Sequence, residues 1–211
     1  MKRLVIGSKN PKKKREILEI LGGLPFDLVD LTQCKPVAEV VEDKDSFEEN
    51  AAKKASQVAK ELSEWVLGED SGLCVDSLGG APGIFSARFA GIQGDDEANN
   101  AKLVAALAGL PGEKRRAHYV CAAAIANPQG EIVATARGEC YGEILPERKG
   151  SGGFGYDPYF YLPEYHKTFG ELPPAIKQAI SHRARALEKL FQPISPAGTK
   201  GNHPLHALIK S

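Results

Sequence analysis

Trp65-Val66-Leu67-Gly68-Glu69-Asp70-Ser71-Gly72-Leu73 is the stretch on which the reading of this chain turns. Three apolar residues make a short buried strand that delivers the backbone to two adjacent carboxylates. Ser71-Gly72 is turn chemistry, so the strand is expected to end at Glu69-Asp70 and turn at once, leaving both acids at a sheet edge. There a metal or a water reaches them, because hard divalent cations take carboxylate oxygens and keep waters for a phosphate-bearing ligand. A solvated acidic turn is the plain alternative. The chain continues through Gly79-Gly80-Ala81-Pro82-Gly83 to Ser86-Ala87-Arg88, and five glycines from Gly68 to Gly83 mark backbone that turns tightly or approaches a ligand closely.

Working outward, the length of 211 residues suits one domain or two closely packed lobes with a real core. Lys plus Arg and Asp plus Glu both number 27, so the net charge is zero. That balance excludes a protein that coats nucleic acid, which needs a large basic excess, and leaves room for a small anionic ligand. Cys34, Cys74, Cys121 and Cys140 have neither CxxC spacing nor paired histidines. They argue against zinc and against a disulfide framework, and fit a reducing, cytoplasmic compartment. Met1 to Gly7 holds too short an apolar run for a signal peptide, and no long apolar span follows, so no membrane partner is expected.

Leu4-Val5-Ile6 predicts a buried strand opening into Gly7-Ser8-Lys9-Asn10, with Asn10 as N-cap and Pro11 as first residue of a helix that ends at Gly22-Gly23. Lys12, Lys13 and Lys14 in its first turn oppose the helix dipole; a bound anion would relieve the conflict, and a solvated basic face is the alternative. This is no Walker A loop, since the glycines and the Gly-Lys-Ser/Thr ending are missing. Phe26 to Leu31 alternates as a half-buried strand, followed by a loop with Glu39, Glu42, Asp43 and Asp45. Ser46-Phe47-Glu48-Glu49 is a capping box for a helix whose core stripe is Phe47, Ala51, Ala55, Val58 and Leu62; Asn50 and Lys54 lie one turn apart on a neighbouring face.

Asp95 caps a further helix with a core face of Leu103, Val104, Leu107 and Leu110, to which only a structural role is assigned. Ala117 to Ala126 and Glu131 to Ile144 flank Asn127-Pro128-Gln129-Gly130 as a hairpin, and Arg115 and Arg116 before it are expected to be solvated. Gly150, Gly152 and Gly155 satisfy GxGxxG, but the Tyr-Asp-Pro that follows predicts an extended segment, not the helix a dinucleotide fold requires. What remains is a flexible loop presenting Phe154, Tyr156 and Asp157: rings beside a carboxylate suit a stacked nucleobase, and rings tucked into a core are the alternative. Lys177, then His182 and Arg183 after Ser181, are donors clustered at helix ends, which suits reading an anion or a carbonyl.

Glu69-Asp70-Ser71-Gly72-Leu73 with Gly79-Gly80-Ala81-Pro82-Gly83-Ile84-Phe85-Ser86-Ala87-Arg88 resembles the signature of the inosine triphosphate pyrophosphatase family, enzymes that remove deaminated purine nucleoside triphosphates. The phosphate-gripping turn at Ser8, Asn10 and Lys13, the Phe-x-Glu-Asn-Ala-x-x-Lys-Ala pattern at Phe47 to Ala55, and Phe154-Gly155-Tyr156-Asp157-Pro158 follow the family's order. The resemblance covers residues 2–191.

It implies an α/β fold with a long twisted mixed sheet, flanking helices and two lobes around a nucleotide-binding cleft. It also implies a single catalytic domain over 1–191, with 192–211 as a surface extension, and a homodimer. The implied activity is Mg²⁺-dependent hydrolysis of ITP, dITP or XTP to the monophosphate and pyrophosphate. In it Glu42, Asp70 and Glu69 hold the metal, Asp70 is the general base, and Lys13, Lys54 and Lys177 cradle the phosphates. Ser71 holds the sugar-phosphate end. Phe154, Gly155 and Tyr156 form the base-binding loop, and Asp157, His182 and Arg183 read the base edge. Two rivals stay open: a pyrophosphatase of modified pyrimidine nucleotides, and a nucleotide sensor that binds without turnover.

Overall fold

The computed structural model describes residues 2–192 and Leu205. Seven strands form one mixed sheet in the order β2-β1-β3-β4-β5-β6-β7. The strands are β1 (Arg3–Ile6), β2 (Asp27–Asp30), β3 (Trp65–Val75), β4 (Arg116–Ala126), β5 (Ile132–Ile144), β6 (Phe160–Leu162) and β7 (Lys167–Thr168). β1 pairs in parallel with β2 and β3, whereas β6 pairs antiparallel with β5 and β7. Among the described residues five α-helices accompany them: α1 (Pro11–Leu21), α2 (Phe47–Leu62), α3 (Asp96–Ala106), α4 (Pro174–Ile180) and α5 (His182–Phe191). The expected mixed α/β class is the one found, and no helix among the described residues is long and apolar enough to cross a membrane.

The chain divides into two compact units. The first comprises Met1–Asp70, Cys121–Gly138 and Arg183–Ser211. Its core joins Leu4 and Ile6 of β1, Leu67 of β3, Cys121, Ala123 and Ile125 of β4, Ile17 and Leu21 of α1, and Ala186, Leu187 and Leu190 of α5. Leu4, Val5 and Ile6 are all fully buried, as a parallel strand covered on both faces requires. The tail expected as a surface extension lies outside the described residues beyond Gln192, except Leu205, which is fully buried in this core. The second unit comprises Ser71–Val120 and Glu139–His182, with a core of Leu73, Val75, Leu103, Leu107, Tyr119, Ile144, Phe160 and Phe169 among others.

Local signals placed the helix starts well. Asn10 caps α1, its side chain accepting from the Lys12 and Lys13 amides, with Pro11 in the first turn. Ser46 caps α2 by accepting from Glu49 N, and Asp95 caps α3 by accepting from Ala98 N. The Asn127–Gly130 turn closes with Gly130 N donating to Asn127 O at 2.8 Å.

Two expectations fail. β3 does not end at Glu69-Asp70: it runs on through Ser71-Gly72 to Val75, and the turn comes at Asp76–Leu78 and Gly79, whose φ of 62° suits glycine. The two acids therefore sit mid-strand, third in the sheet order, and not at an exposed turn. Arg115 is not solvated either. It is buried, its Nε donating to Ile144 O at 2.6 Å and its Nη1 to Leu107 O at 2.7 Å, so it ties the end of α3 to β5.

Candidate active site

Alternation along β3 sends Glu69 and Asp70 to opposite faces. Leu67, two residues before Glu69, packs among α1 and α5 residues, so Glu69 shares that face. Gly68, two before Asp70, meets α2: a Cβ there would lie 2.6 Å from Ala55 N and 2.9 Å from Ala55 Cβ. Only glycine lets the helix backbone come so close, and the contact brings the neighbouring Lys54 down until its Nζ donates to Glu69 O at 2.7 Å. Gly7 does the same for β1, since a Cβ would stand 2.9 Å from Val66 Cγ1, and its amide donates to Leu67 O at 2.9 Å.

On the α1 and α5 face Glu69 is the hub of a buried charge network. Its Oε1 accepts from Arg183 Nη2 at 2.9 Å and from Cys121 Sγ at 3.4 Å, and its Oε2 pairs with Lys13 Nζ at 3.2 Å. Arg183 also pairs with Glu16 of α1. Burial pulls the Arg183 and Lys13 pKa values down, but the carboxylates outweigh it: Glu69 and Glu16 for Arg183, Glu69 and Asp70 for Lys13, so both end above their usual ranges. Burial first, then the Glu69 charge, pushes the Cys121 thiol up, so it stays a protonated donor.

This network corrects two expectations. Glu69 is not placed as a metal ligand, because its side chain is fully buried and is compensated by two cations and a thiol. Arg183 is not placed to read a base edge, because its guanidinium is 1% exposed and lies between two carboxylates. Among the described residues no group of three or more His, Cys, Asp or Glu side chains is arranged to hold a metal ion.

On the α2 side Asp70 is 4% exposed, and desolvation raises its carboxyl to about 6 against the pull of Lys13 and Lys54. Glu42 adds to the rise, so the two carboxylates feel each other. Glu42 itself pairs with Lys54 Nζ at 2.6 Å; burial raises its pKa, Lys54 outweighs that, and it ends below the usual carboxylate range. Two carboxylates backed by lysines form a donor set that fits Mg²⁺, which is commonly held by one or two carboxylates and takes its other oxygens from waters and phosphates. At the turn before α1, Ser8 is buried and its Oγ accepts from Asn10 N at 3.3 Å. The lysines of that turn have their own acids, Lys13 with Glu69 and Lys14 with Asp30 at 2.9 Å.

The other predicted residues belong to the second unit. Phe154-Gly155-Tyr156-Asp157 is a pinned loop, not a free one. Asp157 Oδ2 accepts from Phe154 N at 2.7 Å and from Lys177 Nζ at 2.6 Å, inside a buried ion pair. The Gly155 peptide is held at both ends by α3, its amide donating to Asp96 Oδ2 at 3.0 Å and its carbonyl accepting from Asn100 Nδ2 at 2.9 Å. α3 therefore does more than pack. Tyr156 is buried with its hydroxyl donating to Ser86 O at 2.8 Å, so it is a core ring and not one side of a base sandwich. Lys177 Nζ pairs with Asp157 and lies 4.8 Å from the Phe154 ring centre. Phe154 stays half-buried, and His182 is buried with its ring stacked on Tyr119 at 4.7 Å between centres. Ser71 is half-buried on β3.

Glu16, Cys121, Asp96 and Asn100 were missed. Each meets its partner across the fold, Glu16 with Arg183, Cys121 with Glu69, and Asp96 and Asn100 with Gly155, so no local spacing pointed to them.

Residues 4–193 match the Ham1 family. The chain belongs to the Ham1 family. It is 50% identical over 190 residues to a dITP/XTP pyrophosphatase of Rhodopirellula baltica, covering 90% of this chain and 91% of that one. A dITP/XTP pyrophosphatase of Desulforamulus reducens is 48% identical, with 90% and 94% covered. Among solved structures the Ham1 protein of Coxiella burnetii matches with a TM-score of 0.81 at 37% identity, covering 90% of this chain and 96% of that chain. The Ham1 protein of Staphylococcus aureus gives 0.79 at 39%, with the same coverage.

Proposed function

We propose that this Ham1 family member hydrolyses non-standard purine nucleoside triphosphates, ITP, dITP and XTP, to the monophosphate and pyrophosphate, with Mg²⁺ as its working ion. The observation that carries the reading is Asp70, a buried carboxyl raised to about 6 beside Lys13, Lys54 and Glu42. A general base works best with a pKa near the operating pH, and a carboxylate at 6 is ionised at neutral pH yet basic enough to take a proton from water. A site that only bound nucleotide has no use for a desolvated acid among its lysines. The relatives' names and the sequence resemblance support the substrate class.

Each residue then has a task. Asp70 takes the proton of the attacking water. Lys13 and Lys54 bind the phosphates, helped by Ser8 and Asn10 at the turn before α1, and Ser71 meets the sugar-phosphate end. Glu42 and Asp70 would hold the metal, which when bound would supply charge neutralisation of the triphosphate. Phe154 stacks on the base and His182 donates to its edge, while Gly155, Tyr156, Asp157 and Lys177 hold the loop in shape. Arg183 holds Glu69 in place, and Glu69 in turn positions Lys13. The resemblance supports a homodimer, and four free cysteines support a reducing, cytoplasmic compartment.

A triphosphate panel tests the substrate assignment. kcat/KM for dITP, ITP and XTP is expected to exceed that for ATP and for modified pyrimidine triphosphates by at least ~10²-fold, the scale available when a buried donor meets the wrong group. Comparable values for pyrimidine substrates contradict it.

A further inference from the structure

Glu42 sits on a loop that contains three other acids, Glu39, Asp43 and Asp45, and something has to choose which of them faces Lys54. The structure does so with one face of α2. Lys53 Nζ donates to Val41 O at 2.8 Å and to Asp43 Oδ1 at 2.7 Å, so a single ammonium grips the residue before Glu42 and the residue after it. Buried Asn50, one turn earlier, accepts from Lys44 N at 3.0 Å and donates to Lys44 O at 3.4 Å. Lys54 then pairs with Glu42 itself at 2.6 Å. Positions 50, 53 and 54 are spaced as helical neighbours, so four consecutive loop residues are held by one turn of one helix. Val41 is left 65% exposed, an apolar side chain outside because it is its carbonyl that is held.

We infer that Lys53, with Asn50, is a positioning residue that clamps the 41–44 loop across α2, presenting Glu42 and occupying Asp43. Lys53 touches neither substrate nor metal in this reading. It occupies Asp43, so that Glu42 is the carboxylate of the Glu42-Asp43 pair that faces Lys54. The inference rests on the assignment of Glu42 as a metal-holding residue. Partners that orient a ligand in this way commonly change metal affinity by roughly 10–100-fold when removed.

The test compares wild type, Lys53→Ala and Lys53→Arg in the full chain. Amide hydrogen exchange over 41–45 is expected to rise in Lys53→Ala and to return toward wild type in Lys53→Arg, which keeps the charge and the donors. Mn²⁺ binding without nucleotide, followed by calorimetry, is expected to weaken by roughly 10-fold in Lys53→Ala. The Mg²⁺ concentration for half-maximal dITP hydrolysis is expected to rise by a similar factor, with kcat at saturating Mg²⁺ within about twofold of wild type. A lower melting temperature with unchanged Mn²⁺ binding, or unchanged exchange over 41–45, overturns the clamp. If wild type itself hydrolyses no triphosphate, the proposed function falls, and the exchange and Mn²⁺ measurements still decide the role of Lys53.

Discussion

Replacing Asp70 by Asn should make the protein more stable while abolishing its activity. The fold keeps the Asp70 carboxyl at about 6, against 3.8 for the ordinary group, because burial costs more than Lys13 and Lys54 return. A carboxyl whose folded pKa is raised favours folding only while it is protonated. Its contribution is full below pH 3.8, declines as pH rises, and is gone above about 6. The shift of about two pKa units corresponds to about 3 kcal/mol withheld from the folded state at neutral pH. Asn keeps the shape without the charge and recovers most of that, which for a chain of this length means roughly 6–12 °C in Tm. Urea unfolding of wild type and Asp70→Asn, at pH 7.5 and again near pH 4, reads it out. The variant should be more stable at pH 7.5, and the advantage should shrink toward zero in acid. A variant less stable than wild type at pH 7.5, or an advantage indifferent to pH, refutes the claim that Asp70 is a strained, desolvated base.

The same titration predicts a carboxyl that takes up its proton near pH 6 in the metal-free protein, read as a difference infrared signal absent from Asp70→Asn; a signal that titrates near 3.8 contradicts it. Arg183→Ala leaves the buried Glu69 facing Lys13 and the Cys121 thiol without its guanidinium, and should cost roughly 3–5 kcal/mol in urea unfolding. If Arg183 positions Glu69 and does not read the base, its replacement lowers dITP and ATP hydrolysis by the same factor; a selective loss on dITP restores the base-reading role. Gly68→Ala drives a methyl against Ala55 of α2 and should cost about 1–3 kcal/mol in thermal unfolding while lowering kcat, since Lys54 moves with the helix.

The parts of the fold legible in the sequence were those governed by neighbours in the chain. Asn10-Pro11, Ser46 with Glu49, Asp95 and the Asn127–Gly130 turn are local hydrogen-bonding devices, and each lies where its chemistry implies. Ser71-Gly72 misled because the same dipeptide serves a turn or a strand, and the partner that lies beside β3 in the sheet beyond the reach of β1 is β4, which begins more than forty residues later. Arg183 was misread for the same reason: its carboxylates lie 167 and 114 residues distant, so its sequence neighbours say nothing of its burial. For Tyr156 and Lys177 nothing in the sequence pointed to their partners in the fold, Ser86 O and Asp157. Lys13, Lys54, Glu42 and Asp70, singled out through the resemblance, do act electrostatically on one another in the fold. Glycine at position 68, read as marking a tight turn or close approach to a ligand, instead lets the backbone of α2 lie against the strand.

The most direct measurement on the central claim is product analysis of dITP hydrolysis with separate detection of pyrophosphate and orthophosphate, in wild type and Asp70→Asn, with Mg²⁺ and after its removal. The account predicts dIMP and pyrophosphate in equal amounts from wild type with Mg²⁺, and a turnover at least ~10²-fold lower in Asp70→Asn. Orthophosphate released stepwise through dIDP, or near wild-type turnover without the Asp70 carboxylate, contradicts it.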